Sequence, residues 1–414
     1  MGRAVRHYLG TAFFARLAEE GMPVAVVLLA LSRTGDARLG ALVLTAWMAP
    51  HIAAAPLAGA LAERVRRPVL FHATALGGFA LAVLILALLT GRAPVAVVLV
   101  VALLGGSCGP VVSGGLSSLV ASFTRAGRER DRAYAHDATV YNAASVAGPA
   151  LAASTAAVAG PGAAVAGLGC SAAVAALLAA FLPVGHRTPT GAASGARVGR
   201  VVRERSLGAD LVAGLEAVWG VRELRAVTAA TCVGFLGLGG LTTTAVLLSA
   251  ERGRPGDGGL LMTAFAVGAL VGSLAVDRLW PRLPAGQLVG ATLLGTGLAL
   301  AAAAVVPSPL LCAALFGAAG LCDGPLLTAT LRIRADHAPT GVRTQVFTLG
   351  AGLKISAAAC GAALTGLAAH AAPAALLLGA AALQIVAAAL HHVLRRAPGP
   401  DRASVSHPTG SGAG

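Results

Sequence analysis

The chain has 414 residues, of which 57% are hydrophobic and 12% charged, with a formal net charge of +14 and a mean hydropathy of +0.80. Soluble domains carry roughly 25% charged residues, so the composition is that of an integral membrane protein. The basic excess does not indicate nucleic acid as a partner, because the arginines lie between apolar runs and form no single soluble face.

A hydrocarbon core of about 30 Å needs ~20 mostly apolar residues per helix. On that measure the sequence predicts twelve spans, near 9–31, 40–58, 69–89, 94–122, 133–158, 162–183, 226–249, 259–276, 286–306, 309–331, 343–368 and 372–394. The first run is too long for a signal-peptide core and has no convincing small-residue cleavage site, so it reads as a span.

The connectors alternate in character. Those at 90–94, 159–162, 307–309 and 370–373 are short and rich in Gly and Pro and share the first side with 32–39 and 250–258, whereas those on the second side are rich in arginine. Of the 31 basic residues, 24 fall on the second side and five (Arg33, Arg38, Arg92, Arg252 and Arg254) on the first, with Arg16 and Lys354 left inside spans. The positive-inside rule makes the arginine-rich side and both termini cytoplasmic, in an inner or plasma membrane.

The predicted organisation is a six-helix bundle over 1–183, a cytoplasmic linker over 184–224, a second six-helix bundle over 225–395 and a disordered polar tail over 396–414. The linker begins as a Gly/Ser/Thr/Arg-rich flexible stretch. Its second part, 207–222, places Leu211, Leu215, Val218 and Trp219 on one helical face, which predicts an amphipathic helix at the inner membrane surface. The cysteines, Cys108, Cys170, Cys232, Cys312, Cys322 and Cys360, form no C-x-x-C and read as buried small hydrophobes, with no metal site or disulfide expected.

The halves echo one another. The charged turn GALAERVRR, Gly59 to Arg67, follows the second predicted span, and GSLAVDR, Gly272 to Arg278, lies 213 residues on. Gly109-Pro110 in the fourth span answers to Gly324-Pro325 in the tenth, 215 residues on, and Gly148 in the fifth to Gly361 in the eleventh, 213 on. Parallel six-helix repeats are a transporter architecture, with the substrate site near the midplane between halves. The predicted fold class is therefore all-α integral membrane, with twelve transmembrane helices in two pseudo-symmetric six-helix bundles.

The charged turn resembles the signature of the major facilitator superfamily, Gly-x-Leu-Ala-Asp-Arg-x-Gly-Arg-Arg/Lys. Gly59, Leu61, Ala62, Arg64, Arg66 and Arg67 fit it, with Glu63 in place of the Asp and no glycine after Val65. The resemblance covers nearly the whole chain and implies an inner gate, latched by this turn when the protein opens outward. Glu63 is suited to face the positive N-terminal end of a helix, and the end expected is that of the eleventh span near Thr340 to Thr344. Gly272, Asp277 and Arg278 form the second copy of the gate motif. The fifth span, with Gly148 and Pro149, resembles the family's antiporter signature Gly-x-x-x-Gly-Pro-x-x-Gly-Gly, with Ala144, Ala152 and Ala153 replacing the other glycines. Ala102 stands near the place of the family's proton-linked arginine in the fourth span.

An ionisable residue at mid-membrane costs about 2.5–3.5 kcal/mol on insertion scales, so each one is a candidate for function. Arg16, Glu19 and Glu20 lie inside the first span, where the i,i+3 and i,i+4 spacings allow either acid to pair with Arg16 locally. The two acids point about 100° apart, so one is expected to face the cavity as a protonatable or cation-selecting group. The competing reading is a neutralised Arg–Glu pair that holds helices together. Asp323, beside the Gly324-Pro325 bend, and Lys354 in the eleventh span complete the candidate coupling set; the competing readings are a core hydrogen-bonding acid for Asp323 and, for Lys354, a structural pair in place of a counter-ion for Asp323 or Glu19. Tyr134, His136 and Asp137 read as interfacial, and His51 beside Pro50 as a packed polar residue. Tyr141, Asn142 and Gln345 are further cavity candidates.

No G-x-x-x-x-G-K-[ST] loop is present, which removes direct ATP drive, and no H-E-x-x-H or paired-aspartate cluster indicates a membrane enzyme. The leading expectation is a secondary transporter working by alternating access, exporting a small amphiphilic or hydrophobic compound by proton antiport. Uptake or facilitated diffusion of a small metabolite is the alternative. The expected partners are that small molecule and the lipid bilayer, with a monomer, no nucleic acid, and no cofactor beyond a proton gradient.

Overall fold

The computed structural model describes residues 2–35, 37–65, 67–182, 207–254, 257–279, 283–368 and 370–396. These residues form twelve long helical rods. The first rod is Arg3–Thr34, and the second combines Ala37–Met48 with His51–Arg64. Next come Pro68–Leu89, Val95–Ser122, Arg128–Ala159 and Pro161–Ala180. The second half runs through Arg222–Glu251, Asp257–Leu279, Ala285–Val305, Pro309–His337, Arg343–Leu367 and Pro373–Arg396. Among the described residues nine helices are long and apolar enough to cross a membrane, or ten if the two bent pieces of the second rod count as one span. The first and fifth rods complete the set. Each is 32 residues long, but their polar and charged residues set them apart from the apolar helices.

Local chemistry sets the ends and the breaks. Pro68, Pro161 and Pro309 stand in the first turns of their helices, where a missing N–H costs nothing and the fixed φ is already helical. The turn before the eleventh span holds Gly341 at φ 93°, a left-handed conformation that a residue with a Cβ adopts poorly. The second rod bends by 40° around Ala49-Pro50. The fourth contains a π-helical turn, Val111–Gly115, directly after Gly109-Pro110. The seventh breaks between Arg222–Leu238 and Leu241–Glu251, where Gly239 lies on the Ala358 carbonyl and Gly240 against Thr365.

Two of the three repeat landmarks take equivalent places in the two halves. A Cβ on Gly148 would meet Gly21 N at 2.7 Å and Leu17 O at 3.0 Å, so the fifth span crosses the first at this point. Gly361 likewise lies on the Leu236 carbonyl, where the eleventh span crosses the seventh. Gly109 sits against His51 of the second span, and Gly324 against the Ala269 carbonyl of the eighth. Small residues at these crossings let the backbones approach closely in lipid.

One large apolar core fills the first half and also takes in Leu331, Ala335 and Phe347 from the second. Two further clusters fill the second half, one of which includes Ala135 of the first. Leucines and valines such as Leu81, Leu104, Leu177, Leu298 and Leu310 stand exposed, as expected of side chains that face hydrocarbon.

Several expectations need correction. Cys170 and Cys360 are exposed rather than buried, and only Cys312 is fully buried, because a lipid-facing surface accepts a thiol as readily as a core does. The seventh span begins at Arg222, inside the segment assigned to the linker. The helix Leu207–Gly220 forms, but its apolar residues divide between two faces. Gly214, Ala217 and Val218 are buried, whereas Val212, Leu215 and Trp219 are 44–54% exposed. The buried face packs on His51–Arg64 and Arg343–Leu367. The first part of the linker, expected to be flexible, and the tail from 397 lie outside the described residues.

Candidate functional site

Contacts between the halves gather towards the arginine-rich ends. There the inner part of the second span packs on the eleventh, and the fifth packs on the eighth and tenth. The outer pieces Ala37–Met48 and Leu241–Glu251 make their main contacts within their own halves. The arginine-rich side is therefore the closed side in this structure.

The closure has a specific chemistry. Glu63 Oε1 accepts the backbone N–H of Thr344 at 2.7 Å, at the first turn of the eleventh span. The first-turn N–H groups of a helix have no intrahelical acceptor, and they carry the positive end of its dipole. Beside this bond the helices nearly touch. A Cβ on Gly59 would meet Gln345 Cα and Thr348 Oγ1 at 2.5 Å, and one on Gly114 would meet Phe347 C at 2.8 Å. Tyr134 stacks on Phe347 with ring centroids 6.0 Å apart. Arg332 of the tenth span donates to the Asp131 carbonyl at 3.1 Å, with its Nε 3.7 Å from the Asp131 carboxylate.

The second motif copy is not equivalent. Gly272 lies on the Leu321 carbonyl and Pro325 of the tenth span, within its own half. The glycine is used in both copies for close approach, but only the first approach crosses between halves. Arg66 and the side chains of Asp277 and Arg278 lie outside the described residues. Leu61 and Arg67 are exposed and Arg64 is half-buried.

Arg16 does not pair with the acids on its own helix. Its Nη1 donates to the Asp137 carboxylate at 2.8 Å and to the Asp137 carbonyl at 2.9 Å, while Nη2 donates to Ser117 Oγ at 2.8 Å. Ser117 and Tyr8 each donate to Asp137 at 2.7 Å. Arg16, Asp137, Ser117 and Tyr8 are all at most 2% exposed. Asp137 and Tyr134 are thus core residues, not interfacial ones, because the fifth helix starts at Arg128 and carries them well into the bundle. The network ties the first, fourth and fifth spans together and satisfies a buried ion pair with neutral donors, which such a pair needs in a low dielectric.

With Arg16 engaged, Glu19 and Glu20 diverge. Glu19 Oε1 is 4.0 Å from His51 Nε2, and its Oε2 is buried with no partner. Glu20 lies beside the Tyr141 hydroxyl and within electrostatic reach of Lys354. The Lys354 ammonium sits over the rings of Tyr141 and Phe235, at 5.1 and 4.6 Å from their centroids, with Asp323 and Glu19 also in reach. Asp323 Oδ1 is buried with no hydrogen-bond partner. Carboxylates of the first half and cations of the second thus face each other across the boundary that alternating motion must open.

A cavity at this boundary is lined by Arg16, Ser113, Ser117, Asp137, Tyr141, Arg334 and Lys354 on its polar parts, and by Leu327, Leu331, Phe347, Ala351 and Ile355 on its apolar parts. The π-helical turn of the fourth span presents Ser113 to this space. Arg334 was not singled out from the sequence, where it reads as one more arginine of an inner loop. Among the described residues no group of three or more His, Cys, Asp or Glu could hold a metal ion.

Two bundles of six helices, closed at one end over a polar cavity, form an architecture consistent with alternating-access transport. The sequence profile of the Major Facilitator Superfamily matches residues 8–254, more than half of the chain, and the protein belongs to that family. No curated protein sequence matches it significantly. Among solved structures, it is similar to a bacterial homologue of the iron transporter ferroportin in the outward-facing state, with a TM-score of 0.72, 17% identity, and 95% of this chain and 99% of that one covered. The human organic anion transporter MFSD10 gives a TM-score of 0.68 at 17% identity, with 95% and 99% covered. The E. coli fucose:proton symporter gives 0.65 at 12%, with 94% and 98% covered. At these identities the likeness is one of fold.

Proposed function

We propose that the protein is a secondary active transporter of an inner or plasma membrane that exports a small amphiphilic compound in exchange for protons. The observation that carries this reading is the pair of carboxylates within the first span, Glu19 and Glu20, on the side of the boundary between halves where Lys354 sits over the Tyr141 ring beside Glu20. Charges in that position are costly to keep and serve pathways and couplings. A proton on Glu20 removes its attraction for Lys354 and so loosens one half from the other. Both termini and the Glu63–Thr344 closure are assigned to the cytoplasmic side, which makes this conformation outward-facing, and a monomer is sufficient for the cycle. The test is flux of an amphiphile into everted vesicles under an imposed pH gradient. Uptake of the amphiphile coupled to proton exit supports the proposal, and indifference to the gradient contradicts it.

A second reading, proton-coupled uptake of a small metabolite, is favoured by Arg334 and Lys354 at the cavity wall. An anionic cargo would draw Lys354 from Glu20 and leave that carboxylate to take up a proton, so cargo and proton would travel the same way. The sign of proton movement on cargo addition separates the two. The cargoes named for the similar structures, iron, organic anions and fucose with protons, differ among themselves and do not choose between these readings.

A further inference from the structure

We propose that Arg334, with Lys354, forms a binding site for an anionic head group, and that the cargo is an amphiphile with a carboxylate, sulfonate or phosphate at one end. The inference rests on the transport reading and names its substrate class, and an anion drawn to Lys354 favours the second reading, in which cargo and proton travel the same way.

Arg334 is 4% exposed, lines the cavity, and has both Nε and Nη2 buried without a hydrogen-bond partner. Its guanidinium rests against Gly350 of the eleventh span, where there is no side chain to bond with it. Arg16 is equally buried but spends its two terminal nitrogens on Asp137 and Ser117. Arg332, two residues before Arg334, reaches Asp131. The ordinary reading of Arg334, a cation capping the last turn of Pro309–His337, does not account for donors that lie buried and unused.

The charge around the cavity points the same way. Its lining contains three cations, Arg16, Arg334 and Lys354, and one carboxylate, Asp137, which Arg16 already holds; Glu20, Asp323 and Glu19 act on Lys354 from beyond the lining, so among the described residues Arg334 is the lining cation left without an acid. Arg334 and Lys354 repel one another, and a shared anion between them removes both that repulsion and the desolvated donors. A guanidinium takes a carboxylate, sulfonate or phosphate in a two-pronged geometry. Leu327, Leu331 and Ile355 line the same space and suit an apolar body.

Three probes with the same tail test the site: octane-1-sulfonate, octyltrimethylammonium and 1-octanol, added below micellar concentration to the purified protein in lipid nanodiscs. Thermal stability is read for wild type, Arg334→Gln, Arg334→Lys and Lys354→Gln. The sulfonate is expected to raise the melting temperature of wild type while the other two do not. Arg334→Gln should abolish that response, whereas Arg334→Lys and Lys354→Gln keep it with at least about tenfold weaker affinity. Without ligand, Arg334→Gln should be more heat-stable than wild type, because it removes a buried unpaired charge; a structural arginine would give the opposite. If Arg334→Gln does not fold, the weakened sulfonate response of the other two variants carries the test. The site is overturned if the ammonium or the alcohol stabilises as well as the sulfonate, if the sulfonate has no effect, or if the variants respond like wild type. Binding is read here without any gradient. A protein that binds sulfonate but moves no amphiphile under any gradient would keep the site and lose the transport reading.

Discussion

Glu63 and Thr344 stand 281 residues apart in sequence and 2.7 Å apart in space, one on the second span and the other at the start of the eleventh. The bond joins a carboxylate to a first-turn N–H of a helix, so it is stronger than a neutral contact and depends on the halves being closed on this side. Glu63→Gln keeps the shape and removes the charge. The expected loss is about 1–2 kcal/mol of closure, a shift of roughly five- to thirtyfold towards the inward-open state. Distance distributions between spin labels on the inner ends of the second and eleventh spans would measure it. An unchanged distribution would mean that the bond does not hold the gate.

Gly59 makes a separate prediction about the same gate. A Cβ there would come within 2.5 Å of Gln345 Cα, which is backbone and cannot swing aside. Gly59→Val should block closure and cut transport at least about tenfold while the protein still folds. Gly77→Ala is the control, since nothing lies within 4 Å of its added carbon. Equal effects of the two changes would sink the steric account.

Asp137→Asn should be among the most damaging single changes in the membrane core. It leaves the Arg16 guanidinium buried without its counter-charge, a loss of about 3–5 kcal/mol. A large fall in melting temperature is expected, and the double variant Arg16→Met with Asp137→Leu should recover part of it. A double variant less stable than Asp137→Asn alone would contradict a mainly electrostatic role.

The pattern that made the fold legible was local: twelve apolar runs, a charged turn in each half, and glycine pairs at nearly constant spacing. Glu63 could be read because its motif names the helix end it meets. Arg16 lines the cavity as expected, but its partner was not legible, since Glu19 and Glu20 stand at helical spacing while Asp137 lies 121 residues away. One signal was present but unused: Tyr134, Asp137 and Tyr141 recur at three and four residues on one face of the fifth helix. The π-helical turn that brings Ser113 to the cavity has no comparable sequence signal. Arg334 was hidden in an arginine-rich loop, because only packing distinguishes a buried guanidinium from one that sets topology.

The most direct test of proton-coupled transport is gradient-driven flux of a fluorescent amphiphile in everted vesicles, comparing wild type with Glu19→Gln, Glu20→Gln and the double variant. Accumulation in wild type should collapse with a protonophore, and most gradient-driven flux should be lost in at least one single variant and in the double. Full gradient-driven flux in all three variants would contradict proton coupling through these carboxylates.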